Sequence, residues 1–249
     1  MLGASNLSRS FPTAVSMALN AFDGPLAFFV AKGHGRSYGK ESRCLGKKIP
    51  GIFQCGIWQA LARENCVPIS AWLTDIGNDL AYEVAVEQVV GWVEACLDRL
   101  LALGARVVLC DLPIDVLTTV SATRYRLFRT VLFPACRLDW SEMLRRAEQL
   151  SERLHALAES RNTPIFTGQS AWYGWDPIHP RQRYFPSLWK EMLESVVARP
   201  VDWSNRSESL LMRWYLRCLR PEHESFLWFP RRARQPNGLL RDGTRISLY

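Results

Sequence analysis

The sequence lacks several patterns that would assign the chain to particular classes of protein. No stretch of about 20 apolar residues occurs, so no segment is long enough to cross a bilayer as a helix. No basic segment followed by an apolar core opens the chain, as a secretory signal would require. The basic residues are spread along the chain, without the clusters typical of nucleic-acid-binding proteins. We therefore expect no transmembrane segment, no secretion and no nucleic-acid partner.

The cysteines lack the spacing of a metal site or a disulfide framework. Their number is odd, no two form a Cys-x-x-Cys pair, and no histidine pair accompanies them. Thiols such as Cys96 and Cys110 lie in apolar patterns, where they serve as small core residues. Reduced thiols predict a cytoplasmic protein. The seven are Cys44, Cys55, Cys66, Cys96, Cys110, Cys136 and Cys218.

The composition is otherwise ordinary for a folded protein. Of the 249 residues, 48% are hydrophobic and 22% are charged. A chain of this length forms one large α/β domain, or one domain with an appendage. The net charge of +7 favours anionic ligands in general.

Short apolar runs alternate with helical patterns along most of the chain. Strands are predicted at 26–31, 69–73, 106–110 and 165–167, and helices at 11–22, 52–63, 84–103, 122–132, 139–160 and 184–197. This alternation predicts a parallel sheet with helices on both faces. In such sheets the loops that follow the strands meet at one edge, where reactive groups gather.

Ser5 lies in the motif Gly3-Ala4-Ser5, directly before a helical pattern. The glycine permits a tight bend, and the N–H groups at a helix start can stabilise a developing anion. The common alternative is a turn serine that caps the helix. Two further polar loops, 77–79 and 176–179, favour the catalytic interpretation because they follow other predicted strands.

A serine becomes a good nucleophile only when a base accepts its proton and a third group orients that base. His179 is a suitable base because an imidazole titrates near neutral pH. Asp176, three residues earlier, can orient the ring, and prolines 177 and 180 stiffen the loop. The alternative is a local Asp–His hydrogen bond that only shapes the loop.

Acyl transfer also needs donors for the oxyanion, each worth about 3–4 kcal/mol in the barrier. The backbone N–H groups of Ser5 and Gly33 and the side-chain amide of Asn78 are the candidates. Asn78 can instead be a turn residue, since Gly-Asn-Asp is good turn chemistry. Asp79 is expected to cap a helix that begins near Ala81.

In this order, Gly3-x-Ser5, the loop at Gly33, Asn78-Asp79 and Asp176-x-x-His179 resemble the SGNH, or GDSL-type, hydrolase superfamily. The resemblance spans residues 1–197. It implies a flavodoxin-like three-layer α/β/α sandwich and ester hydrolysis through a Ser-His-Asp triad. Ser5 then resembles the nucleophile, His179 the base and Asp176 its orienter. Ser5, Gly33 and Asn78 match the oxyanion hole, and neither a metal nor an organic cofactor is implied.

The sequence departs from that pattern at three positions. Ala4 replaces the aspartate of the first motif, and the glycine of Gly-x-Asn-Asp is displaced to Gly77. Only Met1 and Leu2 precede Gly3, although the first strand of this fold is central. So short a strand is expected to leave backbone groups of its neighbours unpaired. We therefore expect the natural start of the chain to lie upstream.

Other residues near these motifs are candidates for contact with substrate. His34 and Arg36 can bind an acidic or hydroxylated group, or can be solvated loop residues. Tyr38 and Trp175, with the neighbouring aromatics at 172 and 173, can line a cleft, although such aromatics are more commonly packing residues.

Residues 200–249 lie beyond the resemblance and are predicted to be a C-terminal extension packed on a domain of residues 1–199. A helix over 210–219 carries arginines, and Asp242-Gly243 between partly apolar runs predicts a hairpin. A packed extension, a cap over the site and an interfacial helix on anionic membrane all fit this pattern.

The sequence thus predicts a serine hydrolase of small-molecule or carbohydrate esters, with short acyl groups such as acetyl as examples. An acyltransferase and a non-catalytic ligand-binding protein of the same fold are the alternatives. The sequence leaves the oligomeric state open.

Overall fold

The computed structural model describes residues 1–44, 46–64, 68–197, 199–203, 209–227 and 229–249. Its helices are α1 (Ser5–Ala21), α2 (Ile57–Arg63), α3 (Asn78–Ala81), α4 (Val86–Ala102), α5 (Ile114–Leu117), α6 (Ala122–Leu132), α7 (Trp140–Ser160), α8 (Phe185–Glu194) and α9 (Leu210–Cys218). Its strands are β1 (Ala27–Val30), β2 (Ser42–Cys44), β3 (Lys47–Ile49), β4 (Ser70–Leu73), β5 (Arg106–Cys110), β6 (Ile165–Phe166), β7 (His223–Phe226), β8 (Phe229–Arg232), β9 (Gly238–Leu239) and β10 (Arg245–Leu248).

A central sheet is formed by two groups of strands that meet at Leu2. Strands β4, β5 and β6 pair in parallel, and β1 pairs in parallel with β10. Leu2 bridges in parallel to Ala31 on one side and to Leu73 on the other. The order across the sheet is therefore β9-β10-β1-Leu2-β4-β5-β6, with only β9 antiparallel to its neighbour.

The segment from Met1 to Gly3 acts as a very short central strand. The Leu2 N–H donates to the Trp72 carbonyl at 2.8 Å, and the Gly3 N–H donates to the Ala31 carbonyl at 2.9 Å. In return, the Ala31 N–H donates to Met1 and the Thr74 N–H donates to Leu2. The backbone groups of the segment thus bond alternately to the two sides, so that so short a strand still pairs with both of its neighbours.

Helices cover both faces of this sheet. On β5, Val107 and Leu109 pack into one core with α4 and α7, whereas Val108 and Cys110 pack into the other with α1 and α8. This alternation explains why the strand reads as a continuous apolar run. The predicted three-layer α/β/α architecture with a parallel centre is confirmed. No helix among the described residues is long and apolar enough to cross a membrane.

The last strands of the chain are built into the central sheet. Strands β9 and β10 form the predicted hairpin around Asp242-Gly243, and β10 pairs with β1 from Ala27–Arg245 to Val30–Leu248. Helix α9 packs on α1 through the buried Leu216. Residues 200–249, predicted as an extension packed on the domain, thus complete its sheet; within them, residues 204–208 and 228 lie outside the described part.

A second, antiparallel sheet has the order β2-β3-β7-β8. It joins the segment after the Gly33 loop to the hairpin at 223–232, and the sequence analysis did not predict it. Six cysteines are free thiols, and Cys66 lies outside the described residues.

Gly3 lies where two strands and a helix start meet, and we predict that it tolerates no side chain. A Cβ atom there would lie 2.0 Å from Thr74 Oγ1 and 2.9 Å from Asp75 Oδ2. Gly3→Ala should lower the free energy of unfolding in urea by about 1–3 kcal/mol through overpacking. Gly91→Ala, at an exposed position of α4 where a Cβ would meet nothing within 4 Å, is the matched control and should raise the free energy of unfolding by about 0.5–1 kcal/mol. Equal effects of the two substitutions would contradict the crowding at Gly3.

Candidate active site

Ser5 begins α1 directly after the short central strand. Its side chain is 8% exposed, at the carboxyl edge of the sheet between the Gly33 loop and the Asn78 loop. The Ser5 N–H donates to no group among the described residues, as is usual for the first N–H groups of a helix. The helix start therefore presents both a hydroxyl and an unused donor.

A continuous chain of hydrogen bonds joins Ser5, His179 and Asp176. The Ser5 Oγ lies 2.9 Å from His179 Nε2, and His179 Nδ1 lies 2.7 Å from Asp176 Oδ2. A carboxylate only accepts hydrogen bonds, so Nδ1 carries the ring proton and Nε2 accepts from the serine hydroxyl. Ser5 and His179, which are 174 residues apart in sequence, thus lie within hydrogen-bond distance of each other, as the sequence predicted.

The Asp176 carboxylate also shapes its own loop. Its Oδ1 accepts the N–H groups of Ile178 at 3.0 Å and His179 at 3.1 Å, while Oδ2 holds the ring. Arg9, one turn after Ser5 on α1, lies 3.7 Å from Oδ2. Burial raises the pKa of Asp176, but the hydrogen bonds and charge of His179 outweigh it, so the pKa stays below its usual value. Loop shaping and ring orientation, the two interpretations from sequence, are both present.

Asn78 and Gly33 flank Ser5 on neighbouring loops. Asn78 begins α3, and its Nδ2 is buried without a hydrogen-bond partner among the described residues. An orphaned buried amide of this kind is unusual and indicates a ligand that completes it. At Gly33 the carbonyl accepts from Arg36, whereas the N–H donates to no described group. A Cβ at Gly33 would lie 2.2 Å from Ile49 Cδ1, the end of a flexible side chain on β3 that packs against this loop.

Asp75 is the residue that sequence reasoning missed. Its carboxylate accepts the N–H groups of Ala4 at 2.6 Å and of Asn6 and Leu7 at 3.1 Å each. It thereby caps α1, whose own N-cap residue Ala4 provides no side-chain hydrogen bond. Asp75 adopts a left-handed backbone conformation, with φ of 61°, which is uncommon for a residue other than glycine. The sequence did offer one indication of this cap. Alanine at position 4 cannot cap the helix with its own side chain, which predicts a capping side chain from another segment.

Two of the predicted substrate contacts are wrong. Arg36 is fully buried, and its guanidinium donates to the carbonyls of Pro50 at 3.1 Å, Lys32 at 3.2 Å and Tyr249. Tyr38 is also fully buried, with its hydroxyl on the Thr74 carbonyl at 2.9 Å. Both side chains hold the Gly33 loop against the sheet, because a buried polar group must find a protein partner.

The other two predicted contacts are accessible. His34 is exposed and lies within the electrostatic influence of Lys32 and His179. Partial desolvation of the ring, together with the charges of Lys32 and His179, lowers the pKa of His34 from its ordinary value. Trp175 is 66% exposed, and its ring lies 4.8 Å from that of Phe128 on α6. Trp172, in contrast, is buried, as expected of a packing residue.

Asp79 does not cap a later helix, as the sequence predicted, but lies inside α3. Its carboxylate is fully buried and accepts from the Tyr38 N–H at 2.8 Å and from the Ser37 hydroxyl. Burial raises the pKa of Asp79 to about 6, against the effect of these hydrogen bonds. Asp79 therefore fixes the Gly33 loop to the Asn78 loop.

We predict a stability change linked to Asp79. Its pKa rises from 3.8 to about 6 on folding. The folded state therefore binds a proton at Asp79 more tightly than the unfolded state does. The stabilisation is fully present below pH 3.8 and is lost as the pH rises through 6. Relative to Asp79→Asn, the wild type should lose about 2–3 kcal/mol of unfolding free energy between pH 4 and 7. Urea unfolding at several pH values tests this; a difference that is constant with pH would contradict it.

An apolar pocket extends from the site toward the layer of α6 and α7. Asn6, Asn78 and Ile178, which neighbour the triad and oxyanion candidates, line it together with residues of α6, α7 and α8. The Asn6 side-chain amide donates to the Ile178 carbonyl at 3.2 Å. The pocket lining thus includes Asn78 itself and the sequence neighbours of Ser5 and His179, namely Asn6 and Ile178.

Comparison with known proteins identifies the fold. No family model matches the sequence, and no curated protein matches it in sequence. The structure is similar to the native M. smegmatis aryl esterase, with a TM-score of 0.52 and 11% identity over 78% of this chain and 96% of that one. It is also similar to a carbohydrate acetylesterase family member from Sinorhizobium meliloti, with a TM-score of 0.50 and 13% identity over 77% of this chain and 86% of that one. The predicted fold is thus confirmed, and it is shared with these two solved esterases.

Proposed function

We propose that this protein hydrolyses carboxylic esters, with Ser5 as nucleophile, His179 as general base and acid, and Asp176 as the group that orients His179. The observation that carries the proposal is the hydrogen-bonded chain from Ser5 Oγ through the imidazole to the Asp176 carboxylate, with separations of 2.9 and 2.7 Å. The first distance suits proton transfer from the Ser5 hydroxyl to the ring, and the second suits the hydrogen bond that orients the ring. The fold, shared with solved esterases, supports the same conclusion.

The reaction proceeds in two halves. Ser5 Oγ attacks the ester carbonyl while His179 Nε2 takes the hydroxyl proton, and the imidazolium then gives that proton to the departing alcohol. Water attacks the resulting acyl-Ser5 ester with His179 again as base, which releases the acid and restores the serine. Asp176 remains a carboxylate throughout, since its low pKa favours the charged form that stabilises the imidazolium.

The oxyanion of each tetrahedral intermediate is assigned to Ser5 N–H, Gly33 N–H and Asn78 Nδ2. Three features support this assignment: neither backbone N–H has a protein partner among the described groups, the Asn78 amide is buried and unpaired, and all three follow neighbouring members of the sheet. Donors that are already oriented need no rearrangement when charge develops, which is why they lower the barrier.

The central test is the replacement of Ser5. Ser5→Ala should lower kcat for p-nitrophenyl acetate by roughly 10^6-fold, because the covalent step is lost. A fluorophosphonate should add one phosphonyl group to the wild type and none to this variant, as read by mass spectrometry. Ser8→Ala, on the same helix and outside the triad, is the matched control and should keep both activities. Turnover or labelling that survives Ser5→Ala would contradict the proposal.

Asn78 gives a separate prediction about the oxyanion. Asn78→Ala should lower kcat by about 10^2–10^3-fold with little change in KM, because the donor acts mainly in the transition state. Asn78→Asp, of nearly the same shape, places an acceptor where a donor is required and should be at least as damaging. An Asn78→Asp variant with wild-type kcat would exclude Asn78 from the oxyanion hole.

A further inference from the structure

The pocket beside Asn78 has the composition of a site for an apolar group. Beyond Asn6, Asn78 and Ile178, its wall consists largely of aliphatic and aromatic side chains from several elements. Representative residues are Leu112, Leu117, Phe128, Met143, Phe166 and Leu188. Pockets with an apolar interior and a few polar groups at one end bind ligands that are themselves amphipathic.

Several polar side chains in the pocket wall are bonded to the protein, and among the described wall residues the buried polar atoms without a partner are Asn6 Oδ1, Asn78 Nδ2 and Trp189 Nε1. On α6, the Tyr125 hydroxyl and the Arg129 guanidinium both donate to the Leu138 carbonyl, at 3.0 and 2.9 Å. On α1, the Ser10 hydroxyl donates to the Asn6 carbonyl at 2.7 Å. A sugar or other hydroxylated group would lose its water contacts in this pocket and find few replacements, which costs free energy. An alkyl or aryl group has no such cost.

Helix α6 covers the pocket and is fastened to the loop that carries the catalytic pair. The Arg124 guanidinium donates to the carbonyls of Gly174 at 2.7 Å and Trp175 at 2.8 Å. The Trp175 ring packs on Phe128, which lines the pocket. The side chains of α6 that line the pocket are Tyr125, Phe128 and Arg129, spaced as one helical face. This contact fixes the roof of the pocket relative to Asp176 and His179.

We infer that this pocket takes the acyl part of the substrate, and that the preferred substrates are esters of apolar acids larger than acetate, such as medium-length alkyl or aryl acids. The inference rests on the proposed ester hydrolysis and replaces the short acyl groups expected from the sequence. An acyl carbon held by Ser5 lies beside the Asn78 amide, so a chain attached to it enters the pocket that Asn78 lines. The alcohol part then leaves on the side of the exposed His34.

A series of p-nitrophenyl esters from acetyl to decanoyl tests the inference. Each methylene that enters the pocket should raise kcat/KM about fourfold, until the pocket is full. Ala147→Leu, a pocket-lining change on α7 that is 2% exposed, should shorten the series and lower kcat/KM for the longest good substrate about tenfold.

Ala156→Leu provides the matched control, because it makes the same change at an exposed position of the same helix. It should leave the whole series unchanged. If Ala147→Leu does not fold, Leu117→Trp replaces it in the same assay. Position 117 is half-buried in the pocket wall, so the larger side chain should also shorten the series.

The outcomes separate this inference from the proposed function. The acyl pocket alone would be overturned if Ser5-dependent turnover were fastest for acetyl esters and fell with each methylene. It would also be overturned if Ala147→Leu did not alter the chain-length series. Faster Ser5-dependent turnover of an acetylated sugar than of any medium-chain ester would overturn it as well. Absence of Ser5-dependent turnover across the series would overturn the ester hydrolysis on which it rests.

Discussion

The backbone pairing of Met1–Gly3 with the strands on both sides is the constraint on which the rest of the structure depends. Leu2 bonds to Trp72 and Thr74, while its neighbours bond to Ala31. Through these few hydrogen bonds the strands of the two halves become one sheet. The loops after β1, after the central segment and after β4 then emerge side by side at one edge of the sheet, and they carry Gly33, Ser5 and Asn78.

The same pairing determines how the start of α1 is used. Asp75 follows the strand next to Leu2 and reaches the N–H groups of Ala4, Asn6 and Leu7. The Ser5 N–H lies among these donors and has no partner in the described part of the chain. A carboxylate beside a developing oxyanion opposes it electrostatically, but this one is compensated by three backbone donors and the Thr74 hydroxyl. The start of α1 is therefore capped by Asp75, while the Ser5 N–H stays available to a ligand.

Local sequence patterns were sufficient to predict much of this arrangement. Apolar runs identified β1, β4, β5 and β6, and the parallel topology brought Ser5 near the 176–179 loop. Arg36 and Tyr38 were misplaced because a polar residue in a glycine-rich loop looks accessible in sequence, whereas burial depends on what packs over the loop. Here β3 and the end of the chain cover it.

Long-range pairings were beyond the reach of the sequence. The pairing of β10 with β1 joins residues more than 200 positions apart, and the second sheet joins two short hairpins whose paired residues, such as Lys47 and Phe226, are also far apart in sequence. Nothing within either segment specifies its partner. The cap from Asp75 was hidden for the same reason, since capping was sought within the helix start itself. The apolar pocket likewise combines residues from many elements, and no single stretch of sequence carries its signal.

The central claim, that Ser5 reacts while Ser5 N–H, Gly33 N–H and Asn78 Nδ2 hold the oxyanion, is tested most directly by a crystal structure of the protein after reaction with an alkyl phosphonate. The account predicts phosphorus bonded to Ser5 Oγ, the phosphoryl oxygen about 3 Å from the three donors, and the alkyl chain in the pocket under α6. Phosphorus bonded to another residue, or a phosphoryl oxygen directed away from Asn78 and Gly33, would contradict it.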